Sequence, residues 1–304
     1  VAVAAPRISG CSGAIPSAFS HFVGIDWSGA KGARHPGLAV AVCEIGQGAP
    51  SLIMPPSGKT SWSRQECRDW IAGRCGLNPE ARILVGIDSS FSMPFVDQGC
   101  YLDETQDVSH VRALWKSVES HCRQGIDLYG GAFVMSHRCH YHLVGGRGTK
   151  YNRRMRVTET RAVESGAGPC ESVFHLIGPS QVGLSGLSTM RMLAQLDGLS
   201  GLAVWPYDDV SEAGLVLTEI YAAAFAALGN HRGKIRDRRS LNRVLRELKS
   251  NLFRDRNLKL NDHACDALIT SAGLRYVAGH RKYWHPELLS ATVRETEGWV
   301  FGIA

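Results

Sequence analysis

The run VGIDWSGA, Val23 to Ala30, closes a short apolar stretch on an acid and follows it at once with small residues. The chain repeats the pattern as VGIDSS, Val85 to Ser90, so Asp26 and Asp88 end two matching segments 62 residues apart. Continuous apolar runs of this length are expected of strands buried on both faces. Outward from the first, a polar loop leads into LAVAVCEI, and the turn GQGAP leads into SLIM. Three strands joined by short Gly- and Pro-rich links predict an antiparallel meander. Ser63 and Glu66 then have the spacing of a capping box, which opens a helix to about Cys75. The order up to Asp88 is β, β, β, α, β.

Residues 91–185 are read as an insertion or small subdomain, with one helical stretch at SHVRALWKSVESHCRQG. Regular structure resumes with a helix at SGLSTMRMLAQLDGL, strands at LAVWPY and LVLTEIY, a basic helix, and a last helix at NDHACDALITSAGLRYVAG. LVLTEIY carries an acid, Glu219, near its end, as the VGID segments do. On the last helix Asp262 and Asp266 are four apart and share a face. Gly273 falls on the same stripe, where a missing side chain lets a helix approach a sheet. A cluster of carboxylates written beside apolar surface needs cations. Oxygen ligands suit Mg²⁺ or Mn²⁺, and three or four carboxylates can hold two such ions about 4 Å apart.

The chain has 304 residues and a net charge of +6, and its hydrophobic content of 44% is ordinary for a globular protein. Between His231 and Leu260 there are 11 Lys or Arg against 3 acids, an excess larger than that of the whole chain. A second cluster, Arg147, Lys150, Arg153, Arg154 and Arg156, contains no acid. Such asymmetry points to a polyanionic partner, nucleic acid, with Arg153, Arg154, Arg156, Lys234, Arg236, Arg238, Arg239 and Arg243 as candidate phosphate contacts; a solvated helix face is the other reading. Nine cysteines without a CxxC pair read as reduced thiols of a cytoplasmic protein. No apolar run reaches the length of a membrane span. Residues 1–20 lack the charge and hydrophobic run of a signal peptide and read as a loose leader to a single domain over 21–304. SHRCHYH offers His137, Cys139, His140 and His142, but the spacing matches no zinc pattern, and a polar loop is the expectation. His263 reads as a local hydrogen-bonding side chain or a proton-transfer group.

VGIDWSGA, GIDSSFSMP, TEIYAA and ACDALITSAGL, with EGWVFGI near the C-terminus, are similar to an uncharacterised family of predicted ribonuclease-H-like nucleases, domain of unknown function 429. The resemblance runs from about Phe22 onward. It implies an α/β fold with a ribonuclease-H-like mixed sheet: three antiparallel strands, then parallel strands, flanked by helices. It also implies metal-ligand and catalytic roles for Asp26, Asp88, Glu219 and Asp266; Asp262 is either a further ligand or an N-cap. The superfamily often places another acid on the helix after the third strand, where this chain has only the capping Glu66 and Asp69. The implied activity is metal-dependent hydrolysis of DNA or RNA phosphodiesters. GIDWSGA also resembles the first phosphate turn of actin-like ATPases and sugar kinases, although IDSSFSMP lacks the Gly of their second phosphate segment and AGLRY is a poor match to their adenosine segment. A nucleic-acid-binding module on a degenerate catalytic fold is the third reading.

Overall fold

The computed structural model describes residues 16, 18–178 and 181–304. In chain order the elements begin with β1 (His21–Asp26), β2 (Ala39–Glu44), β3 (Ser51–Ile53), α1 (Arg64–Ala72) and β4 (Ile83–Asp88). Next come α2 (Val111–Cys122), α3 (Gly131–Ser136), the short hairpin β5 (His142–Leu143) and β6 (Gly146–Arg147), α4 (Val157–Glu164) and α5 (Val182–Leu196). The chain continues through β7 (Leu202–Trp205), β8 (Leu215–Ile220), α6 (Ala222–Leu228), α7 (Arg238–Glu247) and α8 (Asp262–Val277). It ends with the short helices α9 (Arg281–Trp284) and α10 (Ala291–Thr296).

Six strands form one mixed sheet in the order β3-β2-β1-β4-β8-β7. The pairs β1–β2 and β2–β3 are antiparallel, while β1–β4, β4–β8 and β7–β8 are parallel. The expected meander followed by parallel strands is therefore present. The two VGID segments lie side by side in register, Gly24 against Gly86 and Asp26 against Asp88. Because side chains alternate along a strand, each strand feeds two cores. Val23, Ile25, Val85 and Ile87 face one core with α1, α2 and α5. Phe22, Leu84, Val216 and Ile220 face the other with α6, α7 and α8.

Residues 91–185, expected as an insertion, supply Leu114, Trp115, Val118 and Phe133 to the first of these cores and are continuous with it. The leader expected over residues 1–20 lies largely outside the described residues. Its end is already built in, since Phe19 is buried and stacks on Trp284 with ring centroids 5.9 Å apart. At α1 the Ser63 hydroxyl accepts from the Glu66 amide at 3.0 Å, as a cap should. The reciprocal half of the capping box is missing, because the Glu66 carboxylate instead takes the Arg34 guanidinium and the Ser57 amide.

Helix α8 is apolar nearly all round and lies across β1 and β2 beneath α6 and α7, as a central helix must. The close approach expected at Gly273 is made elsewhere. A Cβ on Gly273 would meet Phe225 of α6, whereas one on Gly24 would sit 2.4 Å from the Ala267 carbonyl and 2.5 Å from the Ser271 amide of α8. The glycine that admits the helix belongs to the sheet. Gly24→Ala should therefore cost on the order of 1–3 kcal/mol by overpacking a backbone contact that cannot rotate away. The check is a lower urea midpoint with an unchanged slope; an unaltered midpoint would show that α8 can shift freely.

Candidate functional site

Asp26 and Asp88 share a face at the carboxyl ends of neighbouring central strands, which in any sheet run about 4.8 Å apart. The face is the one that α8 covers. Near the start of α8, Asp262, His263 and Asp266 emerge half-buried from the packing. Its N-cap is Asn261, whose side chain accepts from the Ala264 amide at 2.8 Å, so Asp262 is left free of capping duty.

Three of the expected carboxylates thus come together, and their electrostatics record it. Burial pushes Asp88 well above the ordinary carboxylate range, and repulsion from Asp26 and Asp266 adds to the effect. Asp26 is raised by burial and by Asp266, against the pull of a 2.7 Å hydrogen bond with His263 Nδ1. Asp266 is raised by burial and by Asp262, with Lys234 opposing. The Lys234 ammonium donates to Asp266 at 3.0 Å. Burial alone would lower Lys234, but Asp266, Asp26 and Asp88 together hold it above its usual value. The Asp26 hydrogen bond raises His263 in turn.

The loop after Asp26 is pinned from below. Trp27 Nε1 donates to Ser188 of α5 at 2.8 Å, and the fully buried Arg64 donates to the Ser28 and Ala30 carbonyls. Arg64 is held by Asp127, whose carboxylate accepts the Arg64 and Gln65 amides at the start of α1 and bonds His35 at 2.7 Å. Sequence reading singled out none of Trp27, Arg64 and Asp127. A Trp immediately after the strand-end acid was the available signal.

Basic groups rim the carboxylates. Arg236 reaches Asp262 at 3.3 Å beside the Lys234–Asp266 pair. On α7, Leu241, Val244 and Leu245 are buried, while Arg239, Arg243 and Arg246 form one exposed stripe at i, i+4 and i+7. Arg238 is turned to the Asp255 carbonyl.

Glu219 is not brought to this cluster. Register aligns Ile220, not Glu219, with Asp88, so Glu219 projects from the opposite face of the sheet. There it is buried against Arg156, and it also accepts the Phe91 amide at 2.8 Å. Two of the expected phosphate-contacting arginines are corrected by the same geometry. Arg156, 1% exposed, gives its guanidinium to Glu159, Glu219 and the Glu297 carbonyl. Arg154 is buried on Asp97 and the Pro94, Cys100 and Tyr101 carbonyls. Arg153 is exposed and pairs with Glu171. Of the acids on α1, Asp69 is exposed on Arg68, and neither it nor Glu66 approaches the aspartates. Glu297, in the EGWVFGI motif, accepts the Phe95, Val96 and Val157 amides, which marks it as a structural clamp.

Among the described residues, one group of three metal-capable side chains has all its donor atoms within 4.8 Å of one another. It is Glu104, Cys139 and His140 rather than the aspartates. No helix among the described residues is long and apolar enough to cross a membrane. No family model, curated protein or solved structure matches the chain.

Proposed function

We propose that the chain is a metal-dependent nuclease that hydrolyses phosphodiester bonds of DNA or RNA, with nucleic acid as its partner and the cytoplasm as its setting. The observation that carries the reading is the convergence of Asp26, Asp88 and Asp266, half-buried and mutually repelling, beneath a rim of exposed lysine and arginine. Such a carboxylate set fits Mg²⁺ or Mn²⁺: its donors are all hard oxygens, and Lys234 and His263 offset its repulsion only in part, since all three aspartates stay raised. Asp26, Asp88 and Asp266 would hold the ions, with Asp262 at the rim; Glu219 is left out. Bound there, the ions would supply an activated water and stabilise the leaving oxygen.

The remaining steps belong to the chain's own side chains. Lys234 and Arg236 sit on Asp266 and Asp262, where they would also contact a substrate phosphate. The α7 stripe extends the positive surface along the phosphate chain. His263 fixes one oxygen of Asp26 and so sets which lone pairs face the site. The buried Arg64 and Trp27 keep the Asp26 loop from yielding to the repulsion of its neighbours.

Purified protein incubated with labelled single-stranded, duplex, hybrid and branched substrates, with Mg²⁺, Mn²⁺ or chelator, tests the reading. Metal-dependent cleavage supports it. Binding without cleavage points to a binding module, and nucleotide turnover to an ATP-handling protein. On duplex substrate, replacing Arg239, Arg243 and Arg246 with Ala should flatten the dependence of log K on log salt by about 0.9 for each phosphate that is no longer neutralised. The same change at Arg154 would instead unfold its buried network. A salt dependence unaltered by the triple replacement would make the stripe a solvated face.

A further inference from the structure

The tight donor group lies away from the aspartates, in the loops of residues 91–185. Glu104 belongs to a single turn at Asp103–Thr105, and Cys139 and His140 belong to another at Arg138–His140. His140 is buried and its Nε2 stands 2.6 Å from Glu104 Oε2, while Cys139 Sγ is 3.9 Å from Glu104 Oε1. Donors sharing one tetrahedral zinc ion stand roughly 3.4–3.8 Å apart, from bond lengths of about 2.0–2.3 Å. Cys139 is therefore nearly at distance from Glu104 already, His140 and Glu104 need to part by under about 1 Å, and all three donors lie within 4.8 Å of one another.

The surrounding chain holds this geometry. The Lys150 amide donates to the Cys139 carbonyl at 2.9 Å, and Gly148 passes so close that a Cβ there would lie 2.1 Å from that carbonyl. This anchoring aims the Lys150 ammonium at Glu104, 2.6 Å away, and at Asp103, 3.3 Å away. A positive charge thus already occupies the free side of the Glu104 carboxylate.

We propose that Glu104, Cys139 and His140 form a second metal site, selective for a borderline ion such as Zn²⁺, in which the ion and the Lys150 ammonium alternate on Glu104. The choice of ion follows from the donors. Thiolate and imidazole favour zinc over the hard ions that suit carboxylates alone. Binding releases the Cys139 thiol proton to solvent and leaves a fourth position for water. The ion would tie the turn at Asp103–Thr105 to the turn at Arg138–His140, clamping two loops that here meet through Glu104, Cys139 and His140. This inference is independent of the nuclease reading.

Co²⁺ titration of the full chain, kept reduced with a phosphine, tests it. A thiolate-to-cobalt charge-transfer band should grow in the near ultraviolet, saturate at one ion per chain and be bleached by Zn²⁺. Cys139→Ser, a half-exposed position where folding is easily checked by circular dichroism, should abolish the band. Lys150→Met, which removes the competing cation, should tighten Co²⁺ binding about tenfold, the low end of what neighbouring groups contribute. Asp88→Asn should leave the band intact, separating this site from the aspartates. The absence of a band in the parent chain, or its survival in Cys139→Ser, would overturn the proposal.

Discussion

Asp88→Asn should abolish metal-dependent cleavage and, in the absence of metal, leave a protein that melts at a higher temperature than the parent near neutral pH. The two effects share one cause. The Asp88 carboxyl is held well above its ordinary range by burial and by the charges of Asp26 and Asp266. Between the unfolded value of about 4 and that raised value, the native state binds more protons than the unfolded state. Metal-free stability therefore falls as pH rises through this window, and bound cations restore it. The substituted amide has no charge to repel and retains an oxygen for the Ala222 amide, which donates to Asp88 at 3.3 Å. The gain should be on the order of 1–2 kcal/mol. Loss of one preorganised charge should slow cleavage by at least about 10²–10³-fold. Melting in chelator at pH 5 and pH 8 is the measurement: the parent should lose more stability across that range than the variant. Equal losses would mean that the three carboxylates do not act on one another.

Arg156→Met should remove roughly 3–5 kcal/mol of stability, the cost of leaving buried charge without its partner. That is a large part of the 5–15 kcal/mol that typically separates folded from unfolded protein. Burial disfavours the guanidinium, but Glu159 and Glu219 more than compensate and hold it firmly protonated. Without it, two buried carboxylates face each other across the start of α4, and the Glu297 carbonyl loses a donor. Glu219→Gln is the sharper comparison. It keeps an acceptor for the Phe91 amide and leaves Arg156 paired with Glu159, so it should cost less, and cleavage should persist wherever the variant is folded. A folded Glu219→Gln protein without cleavage would bring Glu219 back into the chemistry.

Glu219 also shows where the sequence stops being readable. Asp26 and Asp88 could be matched because parallel neighbours with the same word pair residue for residue. Glu219 is likewise an acid near the end of an apolar run, but its register against β4 is offset by one, which sends it to the other face. A strand buried on both sides has no polar alternation to reveal that parity. Helical spacing put Asp262 and Asp266 on one face, and it took the resemblance to single out Asp266. Arg154 and Arg156 were not, because their burial depends on Asp97, Glu159 and Glu219, and basic residues in sequence look the same whether solvated or neutralised. Cys139 and His140 stood out as ligand types, yet their partner Glu104 lies 35 residues earlier, a distance no spacing rule spans. The helices between residues 91 and 185 escaped in part because α3 is only six residues long, too short for a period to register.

Gly24 gives the site one more property. Asp26 and Asp88 are fixed in a sheet, while Asp262 and Asp266 ride on a rod laid across it, and the gap between rod and sheet is set by a hydrogen atom where any other residue carries carbon. The carboxylate cage is thus a caliper whose jaws belong to different layers. Mg²⁺ demands oxygen at about 2.0–2.1 Å and Ca²⁺ accepts about 2.3–2.6 Å, a difference smaller than the width of a methyl group. On the proposed reading, which ion the jaws close on would be decided in the hydrophobic packing beneath α8, so ion preference would drift through mutations that never touch a ligand.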